Sequence, residues 1–82
     1  MTGRRPATES PLPNRIAELR ERAKLSRLEL AELVGVNSQT IGYLERGEYN
    51  PSLALAFRLS DVFSLPVEKI FIRTRSRQGR RA

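Results

Sequence analysis

The chain has 82 residues, a net charge of +6, no cysteine and no histidine. Such a length holds one small hydrophobic core, and the two missing residue types exclude a disulfide framework, thiolate or imidazole metal sites, and Ser-His-Asp or Cys-His catalysis. No apolar run reaches the roughly eighteen residues of a membrane span, and Arg4 and Arg5 are not followed by the apolar stretch of a secretory signal, so a cytoplasmic setting is expected.

Residues 1–13 contain Pro6, Pro11 and Pro13 among small and polar side chains, and a flexible arm is expected there. Asn14 is expected to cap a first helix starting at Arg15, with Ile16, Leu19 and Ala23 on its inner face. Ser26 caps a second helix. Glu29 lies three residues on, which makes a capping box. Leu30, Ala31, Leu33 and Val34 form its expected buried stripe, and Gly35 ends it. Asn37 caps a third helix over about Ser38 to Arg46, with Ile41 and Leu44 facing inward and Gly47 closing it. Pro51 disfavours helix at Asn50. Ser52 caps a fourth helix whose inner side carries Leu55, Leu59, Val62 and Phe63. Pro66 is expected in the first turn of a short fifth helix ending near Phe71. No stretch alternates with period two for long enough to be a strand. Residues 14–72 therefore read as one compact all-α domain of five helices.

The charge is unevenly spread. Eight basic and eight acidic residues balance over 11–72, whereas Arg73, Arg75, Arg77, Arg80 and Arg81 give the C-terminal ten residues +5. Residues 73–82 are expected to be a basic tail without fixed structure that is drawn to polyanions. Glu18, Glu21, Glu29 and Glu32 are too dispersed to hold a metal. No cofactor, catalytic site or small-molecule ligand is expected, and the chain does not read as an enzyme.

The informative stretch is Ser26 to Arg46. Two short helices joined by a tight turn containing Gly35 cross steeply and leave one face of the second free. That face carries Ser38, Gln39, Gly42, Tyr43 and Arg46, whose amide, hydroxyl, phenol and guanidinium groups suit base edges and phosphates. Gly42 stands mid-helix, where glycine costs about 1 kcal/mol relative to alanine. The run LSRLELAELVGVNSQTIGYLERG from Leu25 to Gly47 resembles the phage-repressor and Cro-type helix-turn-helix family of transcriptional regulators, also called XRE-type. YNPSLALA from Tyr49 and VEKIF from Val67 are similar to that family's fourth and fifth helices, so the likeness spans about Asn14 to Phe71.

The resemblance implies a lambda-repressor-like fold and sequence-specific binding of double-stranded DNA, with the third helix in the major groove. It implies base reading by Gln39, neighbouring base or phosphate contacts from Ser38 and Tyr43, a phosphate contact from Arg27 in place of the family's usual glutamine, and phosphate contacts from Asn37 and Asn50. Arg20 and Glu45 match a pair that ties the first helix to the third. One recognition helix touches few base pairs, so a homodimer on a two-fold operator is expected. Phe63, Leu65, Val67, Ile70, Phe71 and Ile72 exceed what a short fifth helix needs for docking, and Leu65, Ile70 and Ile72 are expected at the dimer interface. The rival is an antitoxin-like protein that covers a partner with its tail and represses its own operon. A partner-wrapping tail carries apolar anchors, and residues 73–82 have none but Ala82.

Overall fold

Ser26 starts its helix as the sequence requires. Its hydroxyl accepts from the Glu29 backbone N–H at 2.9 Å, and the Ser26 N–H donates back to the Glu29 carboxylate at 2.8 Å. Both halves of the capping box are thus made. Asn37 and Ser52 cap the next two long helices in the same sense, accepting from the N–H groups of Thr40 and Leu55. The computed structural model describes residues 13–72 and gives five helices in the order α1 (Ile16–Arg22), α2 (Arg27–Val34), α3 (Ser38–Glu45), α4 (Leu53–Phe63) and α5 (Val67–Ile70). The N-terminal arm expected from the sequence, of which Pro13 alone is described, and the expected basic tail lie outside those residues.

Four helices stop by one device. Lys24, Gly35, Gly47 and Ser64 follow α1 to α4 at φ of 61°, 77°, 71° and 55°. In each case the next N–H reaches five residues back, from Leu25 to Arg20, Val36 to Ala31, Glu48 to Tyr43 and Leu65 to Ser60. These bonds satisfy carbonyls that the helix end would strand. Leu25, Val36 and Leu65 then pack on the core, so three of the four turns also feed an apolar side chain inward, whereas Glu48 after α3 is exposed. Lys24 and Ser64 hold a left-handed conformation without being glycine, which costs about 1–2 kcal/mol per residue. Ser64→Gly is expected to stabilise the fold by about 0.5–1 kcal/mol, the remainder being lost to the greater freedom of glycine in the unfolded chain. The urea midpoint checks this, and a midpoint at or below the parent's contradicts it.

The core draws on every helix: Ile16, Leu30, Ile41, Leu44, Leu59 and Ile70 are fully buried. α2 packs against α3 and α4, α4 against α5, and α1 against α3. The two ends of the described chain are clipped together. Asn14 and Phe71 form an antiparallel bridge, the Arg15 N–H donates to Ile70 O, and the Ile72 N–H donates to Pro13 O, both at 2.8 Å. This clip explains why Ile70 and Phe71 are buried.

Several expectations need correction. α1 begins at Ile16 with Arg15 in the cap position; Asn14 still serves it, accepting from the Ile16 N–H at 3.0 Å. The helix ends at Arg22, so Ala23 is exposed rather than part of the inner face. Leu33 is also exposed, because the side of α2 met by α3 and α4 is filled by Leu30, Ala31 and Val34. Pro66 precedes α5 rather than starting it. Ile70 is fully buried in the chain's own core and so presents no surface for the expected dimer contact; Leu65 is half-buried against that core, and Ile72 is exposed. Arg58 on α4 reaches back to the Val34 carbonyl at 3.4 Å, at the end of α2.

Candidate nucleic-acid interface

The tight turn between α2 and α3 leaves a groove of about 480 Å³ between the start of α2 and the outer face of α3. Arg27, Ser38, Gln39, Gly42, Tyr43 and Arg46 line it, six of the eight residues named from sequence. Along α3 and its C-cap residue Arg46 they recur at i, i+1, i+4, i+5 and i+8, which is one helical face. Ile41 and Leu44, fully buried on the other face, fix its orientation. Asn37 and Asn50 lie outside this lining. Asn37 caps α3, its Oδ1 accepting from both the backbone N–H and the hydroxyl of Thr40. Asn50 is exposed in the loop before α4.

Two members of the groove differ from expectation. Gly42, which the helical spacing places on the exposed face, is buried. The Arg46 side chain lies over it, and an added Cβ would meet Arg46 Nη1 at 3.5 Å, an ordinary van der Waals contact. Arg46 itself is held by Glu48 at 3.2 Å and over the Tyr43 ring, 5.1 Å from its centroid. Leu28, which the sequence does not single out, lines the same groove and is 58% exposed. Its signal in the sequence is a leucine off the stripe of Leu30, Ala31 and Val34 and next to Arg27.

Behind the groove stands an ionic anchor. Glu45 sits on α3 with its side chain only 4% exposed. It takes Arg20 Nε on one carboxylate oxygen at 2.5 Å and Arg27 Nε on the other at 2.9 Å. Arg20 also donates to the Leu25 carbonyl at 2.9 Å, which ties the α1–α2 loop to the same centre. Asn14 secures the far end of α3, donating from Nδ2 to the Leu44 carbonyl at 2.7 Å. Helix α3 is thus fixed to α1, to the chain before it and to α2 by polar contacts as well as by packing.

The arrangement suits binding rather than bond-breaking. The groove offers donors, a phenol and two guanidinium groups, and it lacks a carboxylate or imidazole placed to move a proton. Among the described residues there is no acidic cluster that would hold a metal and no helix long and apolar enough to cross a membrane. Away from the groove, Arg15 and Arg22 both bond Glu18 at the start of α1, and the Arg15 hydrogen bond holds that carboxyl below its ordinary value. This exposed cluster adds little to stability.

Comparison with known proteins agrees with this geometry. The helix-turn-helix family profile matches residues 16–70. An uncharacterised HTH-type transcriptional regulator of Archaeoglobus fulgidus is 48% identical over 58 residues, covering 71% of this chain and 82% of the relative. A Bacillus subtilis protein of the same description is 42% identical over 60 residues, covering 73% and 91%. Among solved structures, the restriction-modification controller protein C.AhdI of Aeromonas hydrophila superposes with a TM-score of 0.62 at 33% identity, over 67% of this chain and 83% of that one. A transcriptional regulator of Listeria innocua shares the fold with a TM-score of 0.64 at 23% identity, over 79% and 64%.

Proposed function

We propose that this chain, which belongs to the helix-turn-helix family of DNA-binding transcriptional regulators, recognises a specific duplex site by placing α3 in the major groove. The convergence of Arg27, Ser38, Gln39, Gly42, Tyr43 and Arg46 on one groove, over a helix that the core and Glu45 hold rigidly, is the observation that supports this best. Gln39 stands exposed near the start of α3, and its amide matches adenine N6 and N7 with two hydrogen bonds. Ser38 and Tyr43 contact neighbouring bases or phosphates. Arg27 swings from Glu45 to a phosphate, and Glu45 keeps Arg20 when it does so. The Asn37 carbonyl oxygen is spent on capping, which leaves its amide N–H groups as the donors for a phosphate. Asn50 approaches the backbone from the following loop.

A single recognition helix reads too few base pairs for selective binding, so the operator is two-fold and the protein binds it as a dimer, with recognition helices about 34 Å apart. Selection from random duplexes is expected to return a palindromic motif, and sedimentation on that duplex to give the mass of two chains per site. Uniform recovery of sequences would overturn the proposal.

Gln39→Ala tests the reading role. It is expected to weaken binding to the selected duplex by about 1–3 kcal/mol and to leave scrambled duplex nearly unaffected. Equal losses on both duplexes, measured by titration at fixed salt, would remove Gln39 from base recognition.

A further inference from the structure

Leu28 has no structural task that explains it. It lies on the first turn of α2, beside Arg27, while the buried stripe of that helix is completed by Leu30, Ala31 and Val34. A lone exposed leucine is ordinary on a protein surface. This one, however, shares a groove with the two arginines, the serine, the glutamine and the tyrosine that face nucleic acid, so its surroundings are otherwise polar. Tyr43, 48% exposed, supplies the other apolar surface in the groove, and the guanidinium of Arg46 lies over its ring. Between them Gly42 adds no side chain, which keeps the floor of the groove low.

In the major groove of DNA the apolar feature on a base edge is the C5-methyl of a pyrimidine. Hydrogen-bond donors cannot recognise it; a hydrocarbon surface can, by removing it from water. We propose that Leu28, with the ring of Tyr43, forms a subsite for a pyrimidine C5-methyl group and so adds a specificity element contributed by α2 rather than by the recognition helix. The subsite rests on the functional reading given above. The methyl group has two sources in duplex DNA, thymine and 5-methylcytosine, and both present the same chemistry to the groove. The arginines beside the subsite carry the charge that the flanking phosphates require.

The experiment uses the full chain and the duplex recovered by selection. Each thymine is replaced in turn by deoxyuridine, which removes the methyl and nothing else, and each cytosine in turn by 5-methylcytosine. At one position per half-site, loss of the methyl is expected to weaken binding about fourfold, or its addition to strengthen binding about fourfold, as burial of one methyl implies. The first result assigns thymine and the second 5-methylcytosine. In Leu28→Ala, at a site 58% exposed and outside the buried core, with folding checked by its urea midpoint, the same substitution is expected to change affinity less than about twofold. A selected motif on which neither substitution alters binding by the parent protein overturns the methyl subsite alone. So does a methyl effect that persists undiminished in Leu28→Ala. Failure of the selection to yield any motif overturns the functional reading and this inference with it.

Discussion

Glu45→Ala is expected to lower the unfolding free energy by about 3–5 kcal/mol, toward the lower end of that range. The Glu45 carboxylate is almost wholly covered, and the Arg20 side chain beside it is 11% exposed. Removing the carboxylate leaves a guanidinium in a site that water scarcely reaches. Arg20 would retain the Leu25 carbonyl and a distant contact of 3.7 Å with Glu21, and these limit the loss. A small domain of this kind has about 5–15 kcal/mol of stability in all, so the variant is expected to sit near its folding threshold. Arg27→Ala is the informative contrast. Arg27 bonds the same carboxylate, yet its side chain is 56% exposed. Its removal is expected to cost less than about 1 kcal/mol, since Glu45 keeps Arg20. Replacing both buried charges, as Arg20→Met with Glu45→Leu, is expected to cost less than Glu45→Ala alone, because no stranded charge remains. Urea denaturation of the three variants checks this. A Glu45→Ala protein within 0.5 kcal/mol of the parent, roughly the spread of ordinary surface substitutions, would show that the pair is not the anchor of α3.

The features legible in the sequence are those decided within a few residues. Ser26 with Glu29, Asn37 and Ser52 all cap as written, since a hydroxyl or amide three positions ahead of an N–H meets it as soon as the first turn forms. Gly35 and Gly47 likewise mark the ends of α2 and α3. Lys24 and Ser64 do the same task at α1 and α4 with no composition signal, because tertiary packing of Leu25 and Leu65 holds a conformation that these residues would not choose. The pairing of Arg20 with Glu45 was legible through family resemblance, whereas the attachment of Arg27 to the same carboxylate depends on where two helices cross. Leu33 and Ile70 show the limit of periodicity. Both are apolar and well placed for either fate, and it is the position of a neighbouring helix, or of the clip between Asn14 and Phe71, that leaves one in water and buries the other. Gly42 is buried by the reach of Arg46, a side-chain event that no backbone period encodes.

Truncation after Ile72 is expected to lower affinity on selected and random duplexes alike. The acidic and basic residues of the described region cancel, and Arg27 and Arg46 in the groove are themselves paired with Glu45 and Glu48. The five arginines between residues 73 and 81 supply most of the net charge of +6. They lie outside the described residues, and their role is proposed from charge alone: they neutralise phosphates flanking the site. Each phosphate so neutralised releases counterions and adds about 0.9 to the steepness of log K against log salt. At about 0.1 M salt one such contact is worth about eightfold in affinity, and all five together more than about ten-thousandfold. The truncated chain is therefore expected to bind more weakly, with a flatter salt dependence and the same ranking of sequences, because phosphate contacts carry no base information. Titrations of both chains between 50 and 200 mM salt, the range over which such contacts change affinity by about orders of magnitude, decide it. Identical slopes would place the arginines away from the duplex, and a changed base preference would make them readers of sequence rather than of charge.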